Sequence, residues 1–371
     1  MKRRTFLSAT ALTAIAPRLL LAQEQRSLDF LEGGDWTHPK RAVRGVNLGN
    51  WLVLEKWMGD APFAGTNAGD EWALSGLPDG RERLEKHRST WITEADFAWI
   101  KARGLDAVRL PVGYWVLEDT PPYIGAKKHL DNAFLWAKNQ GVQVLLDLHG
   151  APGSQNGEDH SGHAGPIEWT EPQNQVSTLV ILERLAREYG SHTNLWGLEL
   201  LNEPKWTVPL DTLKQFTSDA YTRLRPLLPA SCAFVYHDGF RPFDWGDHLS
   251  GPNFQNVVRD NHPYQVYTDD DKKRSPTDQL RLALNRRTEI ERMGGGKQWI
   301  TIGEWSAALA WNSIKSLSPS ERHSLTRAYA NAQLWGFDSS HAWFYWSYKT
   351  QNGGEWSFRD CVDRALLPAK F

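Results

Sequence analysis

Eight short apolar runs punctuate this chain, at residues 42–48, 107–111, 142–149, 195–201, 233–237, 257–262, 299–304 and 342–347. Between them lie stretches whose apolar residues recur at helical spacing, among them 94–103, 127–139, 173–189, 210–227, 277–293 and 320–335. The last of these opens on Ser318-Pro319-Ser320-Glu321, an N-terminal signal with proline near the first turn. Alternation of this kind from start to finish argues for parallel strands joined by crossover helices. Eight units favour a closed (β/α)8 TIM barrel of the α/β class over an open doubly wound sheet. No G-x-G-x-x-G turn follows the first run, which weakens a dinucleotide-binding alternative. A chain of 371 residues suffices for such a barrel as one domain. No low-complexity linker, solenoid repeat or long charge run interrupts it, so a single catalytic domain is expected over residues 23–371.

Barrel enzymes keep their chemistry at the C-terminal ends of the strands. The stretch 50–88 leaves the first strand at that end and is rich in Gly, Trp and charge. A loop so long in a compact domain is usually functional. Other strands end in Val108-Arg109-Leu110-Pro111, Asp147-Leu148-His149-Gly150, Asn202-Glu203-Pro204, His262-Pro263-Tyr264, Gly303-Glu304-Trp305 and Tyr345-Trp346-Ser347. Taken singly, Arg109 fits a core ion pair and His149 a satisfied core histidine. Polar groups at six strand ends facing one mouth are harder to dismiss, because burying them without a task is costly.

Glu203 and Glu304 stand on strands four and seven, nearly opposite across a barrel. Paired carboxylates at a sugar-sized gap are what glycoside hydrolysis requires. One must hold a proton for the leaving oxygen, while the other must stay ionised to attack the anomeric carbon. Arg109 and the Tyr264 hydroxyl are suited to hold Glu304 ionised, and Asn202 to donate to a sugar 2-hydroxyl. His149, Glu203, His262 and Glu304 could alternatively ligate a metal. However, no H-E-x-x-H spacing occurs and a cationic Arg109 would oppose the ion, so no metal is expected.

Nineteen tryptophans are about 5% of the chain, which suits both a Trp-heavy core and flat platforms for sugar rings. A net charge of -2 argues against a nucleic-acid partner or an anionic membrane surface. Residues 1–22 read as a twin-arginine signal peptide: Arg3-Arg4 precedes an apolar stretch too short to cross a bilayer, which takes ~20 residues. Cleavage after Ala22 and a periplasmic or secreted location follow, with no membrane association after signal removal. Cys232 and Cys361 fall near opposite faces of a barrel and are expected as two unpaired thiols.

The chain resembles glycoside hydrolase family 5, and within it the exo-β-1,3-glucanase group. The resemblance is carried by RGVNLGNWLVLE at 44–55, STWITEADF at 89–97, LHGAPGSQNG at 148–157, GLELLNEP at 197–204, GEWSAAL at 303–309 and WSYKTQNGGEWSF at 346–358. It implies a β-glucan or β-glucoside substrate, net retention and no cofactor. It puts Glu203 on the acid/base and Glu304 on the nucleophile, with Arg109, His149, Asn202, His262, Tyr264 and Trp346 supporting them. Glu55 and Asp159 match groups that close the pocket around a terminal glucose, on two loops that also carry Trp57 and His160. There are departures: Glu158 stands where the group has an aromatic, and His160 where it has asparagine. The extra cysteines of secreted fungal members are missing. A hydrolase acting from the chain end, as a monomer, is therefore expected. A transglycosylase remodelling periplasmic β-glucan would use the same residues, whereas a non-catalytic sugar-binding barrel would not need both glutamates.

Overall fold

Strands buried on both faces must be short and apolar, and this barrel is built from eight of them. The computed structural model describes residues 41–295 and 297–371. The signal peptide expected over residues 1–22 lies outside the described residues. The strands are β1 (Val43–Asn47), β2 (Ala107–Gly113), β3 (Gln143–Gly150), β4 (Leu195–Glu199), β5 (Ala233–His237), β6 (Val257–Asp260), β7 (Trp299–Trp305) and β8 (Ala342–Tyr345). All pair in parallel and in chain order, and β8 closes on β1 through Val43↔Ala342 to Val46↔Tyr345.

The interior is layered because side chains alternate along each strand. Val43, Ala107, Leu145, Ala233, Val235, Val258, Ala342 and Phe344 form an apolar floor. Gly45 admits the Phe344 ring there, since a Cβ at that position would stand 2.4 Å from it. Two residues further along their strands come Arg109, Asp147, His237, Asp260 and Trp346, all buried. The floor therefore holds up a polar layer at the C-terminal mouth.

Helices Glu94–Ala102, Lys127–Gln140, Pro172–Tyr189, Leu210–Leu224, Pro276–Gly294 and Pro319–Phe337 surround the sheet, each within a few residues of its sequence expectation. The last begins with a capping box between Ser318 and Glu321. Two expectations need correction. The alternation fails between β5 and β6, where residues 238–256 contain no helix. Gly239, Pro242, Gly246, Gly251 and Pro252 break any helical run, and the segment folds in turns around the buried Trp245, whose indole donates to Asp238 O. The stretch 50–88 is also more than a loop. It contains helices Glu71–Ser75 and Gly80–Trp91 over a small core of Leu54, Phe63, Ala68, Leu74 and Leu84. A buried Arg88–Glu71 ion pair at 2.8 Å pins it down.

Cys232 and Cys361 are both buried and unpaired. Among the described residues no helix is long and apolar enough to cross a membrane.

Candidate active site

Strands β4 and β6 end at Glu199 and Asp260, earlier than their apolar runs suggest. Beyond β4 the chain turns so that Glu203 takes a φ of 42°, a left-handed conformation that costs a non-glycine residue roughly 1 kcal/mol or more. The turn delivers its side chain into the mouth.

Arg109 is the hub beneath. Its guanidinium donates from Nε and Nη2 to both oxygens of Glu199, at 2.7 and 3.0 Å. Nη1 donates to Glu304 Oε1 and to Asn47 Oδ1, each at 2.9 Å, and Nη2 to Asn202 Oδ1 at 2.8 Å. Asp147 lies 3.1 Å away. Because arginine only donates, it fixes the Asn202 amide with its oxygen inward, and the Asn202 NH2 then faces His149 Nε2 at 3.4 Å. His149 is held by Asp147 Oδ2 at 2.7 Å and stacks on Trp346, centroids 5.5 Å apart and planes 3° from parallel. Burial lowers its pKa to about 4, so it is neutral above that, with Nδ1–H on Asp147 and Nε2 left as an acceptor.

His262 connects three carboxylates. Nε2 lies 3.0 Å from Asp260 Oδ2, and Nδ1 lies 2.6 Å from Glu203 Oε1 and 3.7 Å from Glu304 Oε2. Burial opposes its charge, but Glu304, Asp260 and Glu203 together hold its pKa well above the ordinary histidine value. The Tyr264 hydroxyl donates to Glu304 Oε2 at 2.9 Å. On the other side, His160 Nε2 approaches Glu203 Oε2 to 3.8 Å. Glu55 is buried, and its Oε2 accepts from Trp57 Nε1 at 2.8 Å. Burial, then the charge of Asp159, raises the Glu55 pKa well above the carboxylate range.

These groups surround a cavity of about 940 Å³. Glu55, Trp57, His149, Asp159, His160, Glu203, His262, Tyr264, Glu304 and Trp346 all line it, whereas Arg109 and Asn202 sit behind. Sequence reasoning passed over Asn47, Glu199, His237 and Asp260. Strand alternation could have found them, since each lies on the inward face at a strand's C-terminal end. It also passed over Lys205, Trp206, Phe240, Arg241 and Tyr267, which line the cavity from loops where no periodicity marks them. His160 was expected in the pocket wall, and the structure brings it beside Glu203 as well.

The acid/base and the nucleophile expected from the sequence carry the opposite protonation bias. Burial, then the charge of Glu203, raises the Glu304 pKa to about 7 against the pull of His262 and Arg109. Burial also acts on Glu203, but the His262 hydrogen bond and charge, with His160 and His237, outweigh it and hold that carboxyl well below the ordinary range. The cause is geometric: the imidazolium sits closer to Glu203 than to Glu304. Glu203, His237 and His262, and likewise Glu199, Asp260 and His262, bring ligand atoms within 4.8 Å of one another. In both groups His262 already has each ring nitrogen against a carboxylate.

A (β/α)8 barrel bringing two glutamates, a tyrosine and three histidines into one sugar-sized pocket, with an arginine beneath them, defines an O-glycosyl hydrolase. Residues 69–352 match the cellulase family model, glycosyl hydrolase family 5, and the chain belongs to that family. A glucan 1,3-beta-glucosidase of Blumeria graminis is 32% identical over 409 residues, covering 97% of this chain and 93% of that one. One from Candida oleophila is 32% identical over 91% of each chain. Among solved structures, rutinosidase from Aspergillus niger superposes with a TM-score of 0.73 at 22% identity, over 88% of this chain and 98% of that one. Endoglucanase Cel5A from Thermotoga maritima gives 0.57 at 19% identity, over 88% and 96%. These structural likenesses concern the fold.

Proposed function

We propose that this hydrolase removes terminal glucose from β-1,3-glucans or β-glucosides with net retention, Glu304 acting as nucleophile and Glu203 as acid/base. One observation carries the reading: two carboxylates share the pocket with different partners. Glu304 is gripped by Arg109 and Tyr264, which aim it for attack and offset part of the burial that opposes its charge. Glu203 is bracketed by His262 and His160, groups that exchange protons. Both carboxylates face the same His262 nitrogen, so their nearest oxygens are separated by no more than the 2.6 and 3.7 Å contacts laid end to end. So close an approach of two oxygens is compatible with the ~5–5.5 Å carboxyl separation of a retaining pair.

In the first step Glu304 attacks the anomeric carbon while Glu203 gives its proton to the departing oxygen. In the second, Glu203 takes a proton from water as the water displaces Glu304. The names of the curated relatives support a glucan substrate. A wall of Glu55, Trp57 and Asp159 supports action from the chain end: a further sugar there would run into these side chains and the buried Glu55 carboxyl. Export through the Arg3-Arg4 signal is part of the same reading. A time course on a β-1,3-linked oligosaccharide labelled at its reducing end, with NMR of the first-released sugar, tests it. Stepwise loss of single β-glucose units is expected. Early mid-length labelled fragments, or α-glucose first, would overturn it.

A further inference from the structure

Neither chemical step employs His237, although it is buried beside both partners of the Glu203–His262 contact. It ends β5, the strand between β4, which leads to Glu203, and β6, which leads to His262. Its ring crosses that of His262 at 75°, with centroids 4.5 Å apart. A ring nitrogen of His237, one of His262 and a carboxylate oxygen of Glu203 all lie within 4.8 Å of one another.

The turn after β5 fixes the tautomer of this ring. Gly239 N–H donates to His237 Nδ1 at 2.9 Å, and a backbone amide nitrogen can only donate. A neutral ring then carries its proton on Nε2. The turn is braced as well: Phe240 N–H donates to Asp238 Oδ1 at 2.7 Å, and the Trp245 indole to Asp238 O at 2.8 Å. Burial, then the charge of His262, lowers the His237 pKa to about 3; Arg109 acts the same way, while Asp260 and Glu203 pull against them. The ring is therefore neutral at working pH, with Nε2–H as its donor. That nitrogen is buried and has no hydrogen-bond partner among the described residues. A buried donor left unmatched is costly, so its retention beside a catalytic carboxylate calls for a use.

We infer that His237 is a positioning residue whose Nε2–H holds the Glu203 carboxylate while it acts as base on the glycosyl-enzyme. This rests on the assignment of Glu203 as acid/base. In the first step a proton passes from His262 Nδ1 through Glu203 to the glycosidic oxygen. That oxygen keeps the electron pair of the broken bond, and Glu304 bonds to the anomeric carbon. His262 Nδ1 is then a bare lone pair facing a bare carboxylate, because its remaining proton is held on Nε2 by Asp260. The two repel, and Glu203 needs another donor. His160 Nε2 stands 3.8 Å away, beyond hydrogen-bond reach. Nε2–H of His237 is free, on a ring already within 4.8 Å of the carboxylate. In the second step the water oxygen bonds to the anomeric carbon and the bond to Glu304 breaks, returning its electron pair to that carboxylate. The water proton passes to Glu203 and from there back to His262 Nδ1.

The test uses dinitrophenyl β-glucoside, whose phenolate departs without a proton, so release of the sugar from Glu304 governs kcat. His237→Asn keeps an acceptor near the Nδ1 position for Gly239 and removes the distal donor. His237→Gln keeps an N–H near the Nε2 position. In His237→Asn both kcat and KM should fall about tenfold, leaving kcat/KM near wild type and a stoichiometric burst of dinitrophenolate. His237→Gln should recover most of kcat. Loss of kcat/KM at unchanged KM, or a Gln variant worse than Asn, would reduce His237 to a holder of the turn and overturn the proposal. Unchanged kcat in His237→Asn would overturn it equally. Glu203→Ala addresses the assignment beneath: undiminished kcat on this substrate would remove Glu203 as base, and the proposal with it.

Discussion

His262 Nδ1 stands 2.6 Å from Glu203 Oε1, a contact that must contain a proton. The opposite ring nitrogen, Nε2, is 3.0 Å from Asp260 Oδ2, which keeps a second proton there. Whether the shared proton sits on nitrogen or oxygen decides whether Glu203 is a carboxylate beside an imidazolium or an acid beside a neutral ring. The surrounding charges favour the first state. In the proposed mechanism, transfer to oxygen would supply the proton that a departing glycosidic oxygen needs, so Glu203 would serve as acid without a carboxyl pKa raised at rest.

The two glutamates should separate kinetically. Glu304→Ala should abolish turnover, and azide should restore it with an inverted glycosyl azide as product, because the vacated side chain leaves room for a small anion. Glu203→Ala should slow poor leaving groups by about 10²–10⁴ while sparing activated aryl glucosides that need little protonation. Steady-state kinetics across a leaving-group series checks this, and equal damage along the series would reverse the assignment.

The pH profile of kcat/KM should be bell-shaped. Glu304 must be ionised to attack, and its pKa is raised to about 7, so activity should climb as pH rises toward neutrality. The falling limb should report loss of the proton shared by Glu203 and His262, a property of the pair. His160 is among the charges that hold Glu203 low, after burial and His262 have acted. Its own surroundings are His149, at 5.7 Å between ring centroids, the neighbouring Asp159 and Glu203. His160→Asn removes that influence, so Glu203 should hold its proton to higher pH and the falling limb should move up. A downward shift or none would exclude this role.

Stability should carry the opposite pH signature at Glu304. Its folded pKa of about 7 lies above the ordinary carboxyl value of 4.5, so the folded state binds this proton more tightly than the unfolded chain does. The contribution is fully present below pH 4.5 and is lost as pH rises through 7. Glu304→Gln keeps the shape without the charge. Its Tm relative to wild type should therefore be higher at pH 8 than at pH 5, by the equivalent of up to ~3 kcal/mol. Thermal melts at the two pH values decide it, and an equal difference at both would contradict the sign.

Arg109 neutralises a fully buried cluster of Glu199, Asp147 and Glu304. Arg109→Met should leave those carboxylates uncompensated and cost about 3–5 kcal/mol, with loss of activity. Arg109→Lys should recover only part of the stability, since an ammonium cannot reproduce the bidentate grip on Glu199. Denaturation midpoints of the two variants give the comparison.

Export should depend on the N-terminal pair. Replacing Arg3 and Arg4 with Lys should retain the precursor in the cytoplasm, whereas a chain starting at Gln23 should fold and act unaided. Fractionation of a bacterial host expressing both reads this out, and normal export of the double-Lys form would exclude the twin-arginine route.

Local pattern alone determined the eight strands, because strands buried on both faces must be apolar and the turns after them must carry the polar ends. It also marked Glu203 and Glu304, since Glu203 sits just past such a run and Glu304 closes one. Tertiary structure decided what those residues are at rest. Glu304 meets Arg109 across 195 positions and Glu203 meets His262 across 59, so no spacing in the chain encodes which imidazole lies nearer which carboxylate. The same holds for His160 beside Glu203, for the folded insert in residues 50–88 and for the free ring nitrogen of His237. Periodicity reports how a segment meets its immediate neighbours, while protonation, pairing and exposure depend on distances set only when the barrel closes.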